Sequence, residues 1–137
     1  MPPPWKNTQI RAEGTEQIVR AMEQAGVRRL VSVSTMGAGD SWALLPREFR
    51  ILFRTLLRGA LRAHEQQERS IEKSALDWTV VRPGSYVDGE LTSRYQHGAA
   101  STIKHHRARI SRGDVADFLL KQLTDLRYVH QLPCLSY

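Results

Sequence analysis

A chain of 137 residues with 41% hydrophobic and 25% charged residues carries enough apolar sequence for one globular core, which excludes disorder as the default state. A single cysteine, Cys134, rules out an internal disulfide, no cysteine–histidine pair has zinc-ligand spacing, and no apolar run approaches a bilayer-spanning length. The net charge of +6 permits contact with anions, but no helix-turn-helix, zinc-finger or aromatic RNA-binding signature accompanies it, so no nucleic-acid partner is expected.

The opening Met1-Pro2-Pro3-Pro4-Trp5 resembles neither a signal nor a transit peptide. Residues 1–9 read as an irregular lead-in and 10–137 as one domain, with a reducing, cytoplasmic setting expected from the cysteine count. From Thr8 to Ala25 the spacing predicts a helix with Ile18, Val19, Met22 and Ala25 on one face, capped by Gly26. A Val-rich strand follows from about Arg28 and ends in small and hydroxylated residues, Ser34-Thr35-Met36-Gly37-Ala38-Gly39-Asp40. Helical sequence runs from about Pro46 to Ser74, with a break expected near Gly59. A second strand, Asp77-Trp78-Thr79-Val80-Val81-Arg82, stops at Pro83, which has no N–H for a ladder. Gly84 then reads as a turn whose backbone lies close against a ligand, or else as part of an ordinary Pro-Gly turn. Ser111-x-x-Asp114 has capping-box spacing ahead of a helix with Val115, Phe118, Leu119 and Leu123 as its apolar stripe. The tail after Pro133 reads as a short edge strand.

A strand, a helix and a second strand of one sheet connect by a right-handed crossover, which brings both strand ends to one sheet edge. Ligands of open parallel sheets bind just outside those ends. The two strand ends therefore predict one shared crevice. Arg47, Arg50, Arg54, Arg58 and Arg62 recur every three or four residues, so a single helix would present them as one stripe. That stripe reads as a solvated face or, alternatively, as a contact for an anionic membrane. His105 and His106 lie in a basic turn rather than a metal site.

Gly-Val-x-Arg-x-Val-x-Val-Ser from Gly26 to Ser34, Leu76-Asp77-Trp78-Thr79-Val80-Val81-Arg82-Pro83-Gly84, and Ile110-Ser111-Arg112-Gly113-Asp114-Val115-Ala116-Asp117-Phe118 together resemble the NAD(P)H-binding, atypical short-chain dehydrogenase/reductase proteins. Within that group the NmrA-like and the flavin reductase/biliverdin reductase B-like members are most similar. The resemblance runs from about Ile10 onward. It implies an α/β fold, a truncated Rossmann-like doubly wound parallel sheet with helices on both faces, and NAD(P)H as cofactor, with NADPH expected. The family's Gly-x-x-Gly-x-x-Gly turn has no counterpart here, and Gly37 and Gly39 follow the wrong strand to cradle phosphate. About two βαβ units thus look absent from the front. A fragment of that kind is expected to bind cofactor weakly and to self-associate.

By the same resemblance Ser34 matches the family's active-site serine, with Thr35 as alternate and Met36 beside it, and Pro83, Gly84, Ser85 and Tyr86 match the loop along the nicotinamide. A strand-end serine capping free backbone groups is the plainer reading of Ser34. Ser85 stands where the biliverdin reductase-like proteins carry histidine, which speaks against tetrapyrrole reduction. Ala60 and His64 stand in place of the Tyr-x-x-x-Lys pair of ordinary short-chain dehydrogenases. His64 reads either as an imidazole for a ribose hydroxyl or an acceptor, or as a solvated helix-surface histidine. The resemblance implies hydride transfer to a flavin, quinone or similar conjugated acceptor, with Ser34 and His64 as the catalytic candidates. A non-catalytic, NmrA-like redox-sensing or partner-binding protein is the alternative.

Overall fold

The structure, a computed structural model, describes residues 8–104 and 107–137. Helix α1 (Thr8–Ala25) ends where Gly26 takes a left-handed φ of +71° and the Val27 N–H reaches back to the Met22 carbonyl at 2.9 Å, closing the helix as a glycine cap does. Strand β1 (Arg29–Val33) follows. A loop and a short 3-10 helix (Gly39–Leu44) lead to α2 (Arg47–Thr55) and α3 (Arg58–Glu72). Strand β2 (Asp77–Pro83) lies parallel to β1, in register from Arg29 opposite Asp77 to Val33 opposite Val81. The remaining elements are β3 (Ser85–Val87), β4 (Gln96–Gly98), β5 (Arg109–Ser111), α4 (Arg112–Lys121) and β6 (Cys134–Ser136). The main sheet has the order β1-β2-β6-β4, with β6 parallel to β2 and antiparallel to β4, while β3 and β5 form a separate parallel pair.

Alternation along β2 divides the core between the two faces of the sheet. Trp78 and Val80 pack with Val19 of α1, Ile71 of α3 and Leu76. Val81 packs on the opposite side with Ile110, Val115 and Phe118 of α4, Tyr128 and Leu135. Helices therefore cover both faces of a mainly parallel sheet, as the doubly wound reading requires. β2 is buried from Trp78 to Pro83, whereas β1, at the sheet's end, is half-exposed throughout. Beside it Ile18 of α1 is 56% exposed, so the predicted apolar face of that helix is buried at Val19 and open at Ile18.

Four local expectations change. The strand after Pro133 is not an edge: β6 sits between β2 and β4, and the Pro133 carbonyl accepts from the Arg82 N–H at 2.9 Å, so proline serves as the strand's lead-in and loses no ladder bond. The long helical stretch breaks at Leu56–Leu57 rather than at Gly59, which lies in the first turn of α3, where a weak helix former disrupts no established turn. Because α2 and α3 are separate helices, the arginines form no single stripe. Arg50 instead donates to the carbonyls of Leu45 and Ala43 at 2.9 and 2.7 Å, and Arg54 stacks on Trp42 at 5.7 Å. The capping box is half-formed. Ser111 Oγ accepts from the Asp114 N–H at 3.1 Å, but the buried Asp114 carboxylate turns to the 88–95 loop and the C-terminus, accepting from Thr92 N, Thr92 Oγ1, Ser93 N and Tyr137 Oη. Burial alone would raise its pKa, yet those four donors hold it down to about 2. Leu123 lies beyond the end of α4 and is 55% exposed. His105 and His106 lie outside the described residues.

Candidate functional site

β1 does not stop at Val33. Its backbone runs on beside β2, with Ser34 N donating to Val81 O at 2.7 Å and Met36 N to Pro83 O at 2.9 Å. β2 is held in turn by Gly84 N to Leu135 O at 2.9 Å and then departs through Ser85 N to Ala108 O at 2.8 Å. The divergence of these two strand ends opens a cavity of about 410 Å³. Val33, Ser34 and Thr35 form one wall, Pro83 to Tyr86 the other, His64 of α3 the floor, and Arg11 of α1 closes one side. The structure thus brings together every sequence-predicted site residue except Met36.

Met36 points the other way. It is 2% exposed and packs with Leu45, Ile103, Ala108 and Cys134; residues i and i+2 of a regular strand share a face, so its separation from Ser34 marks a departure from strand geometry after Val33, where Gly37 takes a positive φ. Gly84 lines the cavity, and a Cβ there would lie 2.5 Å from the Ala108 carbonyl carbon and 2.8 Å from Arg109 N, so the backbone leading into β5 already requires glycine at this position. Thr35 Oγ1 is engaged locally with the Met36 carbonyl at 3.2 Å.

Two polar atoms of the lining stand out. Ser34 is 4% exposed, and its Oγ has no hydrogen-bond partner among the described residues; the buried Nδ1 of His64 has none there either. Leaving such a group unmatched costs about 1–3 kcal/mol, so both residues that line the cavity carry a buried polar atom at the expense of stability. Burial, reinforced by the positive charge of Arg11, pushes the His64 pKa down to about 4 against the opposing pull of Glu68. The imidazole is therefore neutral near pH 7 and has one donor and one acceptor nitrogen. Tyr86 is 48% exposed, with the Arg112 guanidinium 5.5 Å over its ring. Ser85 is exposed at the rim.

Beneath the crevice lies a buried ion-pair network. Arg82 makes a bidentate contact with Glu68 of α3 at 2.9 and 2.8 Å and also pairs with Asp40. Gly37 and Gly39 are needed here: both have positive φ, and a Cβ on Gly39 would approach Arg82 Nη2 to 2.8 Å. Their N–H groups go to Ser41 Oγ and the Glu65 carboxylate. The network locks the loop after Ser34 onto α3. Neither it nor Arg11 was picked out from the sequence, although Arg11, Thr15, Val19 and Met22 share the helical spacing that turns one face inward. Among the described residues no group of three or more His, Cys, Asp or Glu could hold a metal ion, and burial raises the Cys134 thiol pKa to about 11. No helix among the described residues is long and apolar enough to cross a membrane.

A family model described as NAD(P)H-binding matches residues 5–126. An uncharacterized chloroplastic protein of Arabidopsis thaliana is 32% identical over 123 residues, covering 88% of this chain and 41% of that protein. The solved structure of ChuY, an anaerobilin reductase from Escherichia coli O157:H7, is 25% identical with a TM-score of 0.76, covering 92% of this chain and 58% of that one. A short-chain dehydrogenase/reductase from Veillonella parvula, solved in complex with NADP, shares the fold at 18% identity with a TM-score of 0.75, again covering 92% of this chain and 58% of the other. The chain thus spans roughly half the length of the proteins it matches. With the match extending over most of its length, the chain belongs to the NAD(P)H-binding family.

Proposed function

We propose that this chain supplies the acceptor side of an NAD(P)H-dependent oxidoreductase that reduces a flavin, quinone or similar conjugated acceptor in the crevice between Ser34 and Tyr86. The observation that carries this reading is the cavity at two parallel strand ends, lined by Ser34 and His64, each with a buried polar atom that has no partner among the described residues. They fit a nicotinamide nucleotide, whose carboxamide and ribose hydroxyls offer hydrogen bonds of matching kind. When bound, the cofactor supplies the hydride. The neutral His64 holds a ribose hydroxyl or orients the acceptor, and the Ser34 hydroxyl donates to the acceptor atom on which charge develops. With Ala60 and His64 in place of the Tyr-x-x-x-Lys pair, neither position supplies the lysine-tuned tyrosine acid that serves simple ketones. A conjugated acceptor spreads the incoming charge and needs less protonation. The likeness to an anaerobilin reductase supports a reductase reading of the crevice. The single buried cysteine suits a reducing, cytoplasmic setting.

The test is NAD(P)H oxidation with FMN and a quinone as acceptors, measured on the chain alone and on a fusion that places a family-like segment with the glycine-rich turn ahead of Ile10. The fusion should turn over with NADPH better than with NADH, and the unfused chain weakly. A fusion that folds and binds cofactor yet reduces neither acceptor would replace this reading with the NmrA-like sensing one.

A further inference from the structure

We infer that Arg11 makes this crevice an oxyanion subsite, and that the acceptor taken there is a planar conjugated molecule carrying a carboxylate. The inference rests on the reading of the crevice as an acceptor site. Arg28, Arg29, Arg50, Arg82 and Arg112 have carbonyl or carboxylate partners, whereas the guanidinium of the exposed Arg11, like those of Arg20 and Arg58, has no hydrogen bond or ion pair among the described residues. Its backbone carbonyl accepts from Thr15 Oγ1. It nevertheless lines the cavity, and no acidic residue does. Glu68, one helical turn beyond His64, is held in both oxygens by Arg82, so it is not free to neutralise Arg11.

The crevice therefore presents one uncompensated cation beside a serine hydroxyl and an uncharged imidazole, each with an unmatched polar atom. A guanidinium fork grips a carboxylate through two parallel N–H bonds, which a neutral carbonyl matches with at most one strong contact. The half-exposed Tyr86 ring offers the flat apolar surface against which a conjugated ring would lie. Arg112, stacked on that ring, already pairs with Asp88 and adds no free charge.

The experiment compares benzoate with its neutral isostere benzamide, titrated onto the full chain without cofactor and followed by the NMR signals of the His64 ring. Benzoate should bind about tenfold tighter than benzamide, Arg11→Gln should erase that preference, and Arg11→Lys should keep part of it. Benzoate should also raise the His64 pKa in the parent chain, because it neutralises the Arg11 charge facing the ring, and leave it unchanged in Arg11→Gln. Equal binding of benzoate and benzamide, or undiminished benzoate preference in Arg11→Gln, would overturn the inference. Inorganic phosphate is the second probe: if it binds more tightly than benzoate and displaces it, the subsite serves a cofactor phosphate, and the acceptor assignment is overturned. NADPH binding is measured separately on the fusion carrying the glycine-rich turn, so its failure there beside intact benzoate selectivity would sink the oxidoreductase reading and leave the subsite standing.

Discussion

Replacing Ser34 by alanine should make the isolated chain more stable and the site less competent. The hydroxyl is 4% exposed and its oxygen is without a partner, so folding strips it of water and returns nothing. Removing it relieves a penalty of about 1–3 kcal/mol and leaves a cavity of only one atom, for a net gain of about 1–2 kcal/mol. In urea, with a slope of about 2 kcal/mol per molar for a chain of this size, the midpoint should rise by roughly 0.5–1 M. Fluorescence of Trp78, 6% exposed within the α1/α3 side of the core, together with far-ultraviolet circular dichroism, reads the transition. In the fused, active form the same change should lower acceptor turnover more than cofactor affinity, since the lost interaction is made to the reacting acceptor. A midpoint that falls by the equivalent of 1 kcal/mol or more would show that the hydroxyl is a structural cap and would refute the reasoning.

His64 links stability to pH. Its folded pKa of about 4 lies below the usual 6.5, so the unfolded chain takes up the proton first. Stability is full above about pH 6.5 and should decline by at most about 3 kcal/mol as the pH falls towards 4, a slope that urea melts of His64→Gln should lack. Gly84→Ala would drive a methyl group to 2.5 Å from the Ala108 carbonyl carbon and should cost about 2–3 kcal/mol, with amide exchange rising first in β3 and β5. Arg50→Gln removes two bonds to loop carbonyls and should cost about 1–2 kcal/mol, whereas Arg58→Gln, at an exposed site, should stay within about 0.5 kcal/mol; thermal melts of both variants decide whether the basic helices are structurally equivalent.

The parts of this fold that were legible in the sequence are those whose signal is local. Arg29–Val33 and Asp77–Pro83 read as strands because each is rich in β-branched residues and ends at a hydroxyl or proline stop, and the crossover rule then places their ends together. The cavity walls followed from that alone. The three-residue strands β3, β4 and β5 were not legible, since Gln96-His97-Gly98 carries no alternation and its order comes from pairing with Cys134–Ser136, far along the chain. Missing β4 is also why β6 read as an edge. Met36 lies off the cavity because the chain leaves regular strand geometry after Val33; strand alternation alone would have kept Ser34 and Met36 on one face. Arg82 and Glu68 meet across a strand and a helix, and no spacing rule on one element reveals such a pair.

Pre-steady-state NADPH oxidation by the fused chain, with FMN as acceptor and NADPH deuterated at the transferring position, tests the central claim most directly. Hydride transfer in the crevice predicts a fast FMN-dependent phase that slows about two-fold or more with the deuterated cofactor and falls at least about ten-fold in Ser34→Ala, with NADPH affinity held within about two-fold. A fused chain that binds NADPH but shows no FMN-dependent phase, or one whose phase is indifferent to both the isotope and Ser34→Ala, would contradict it.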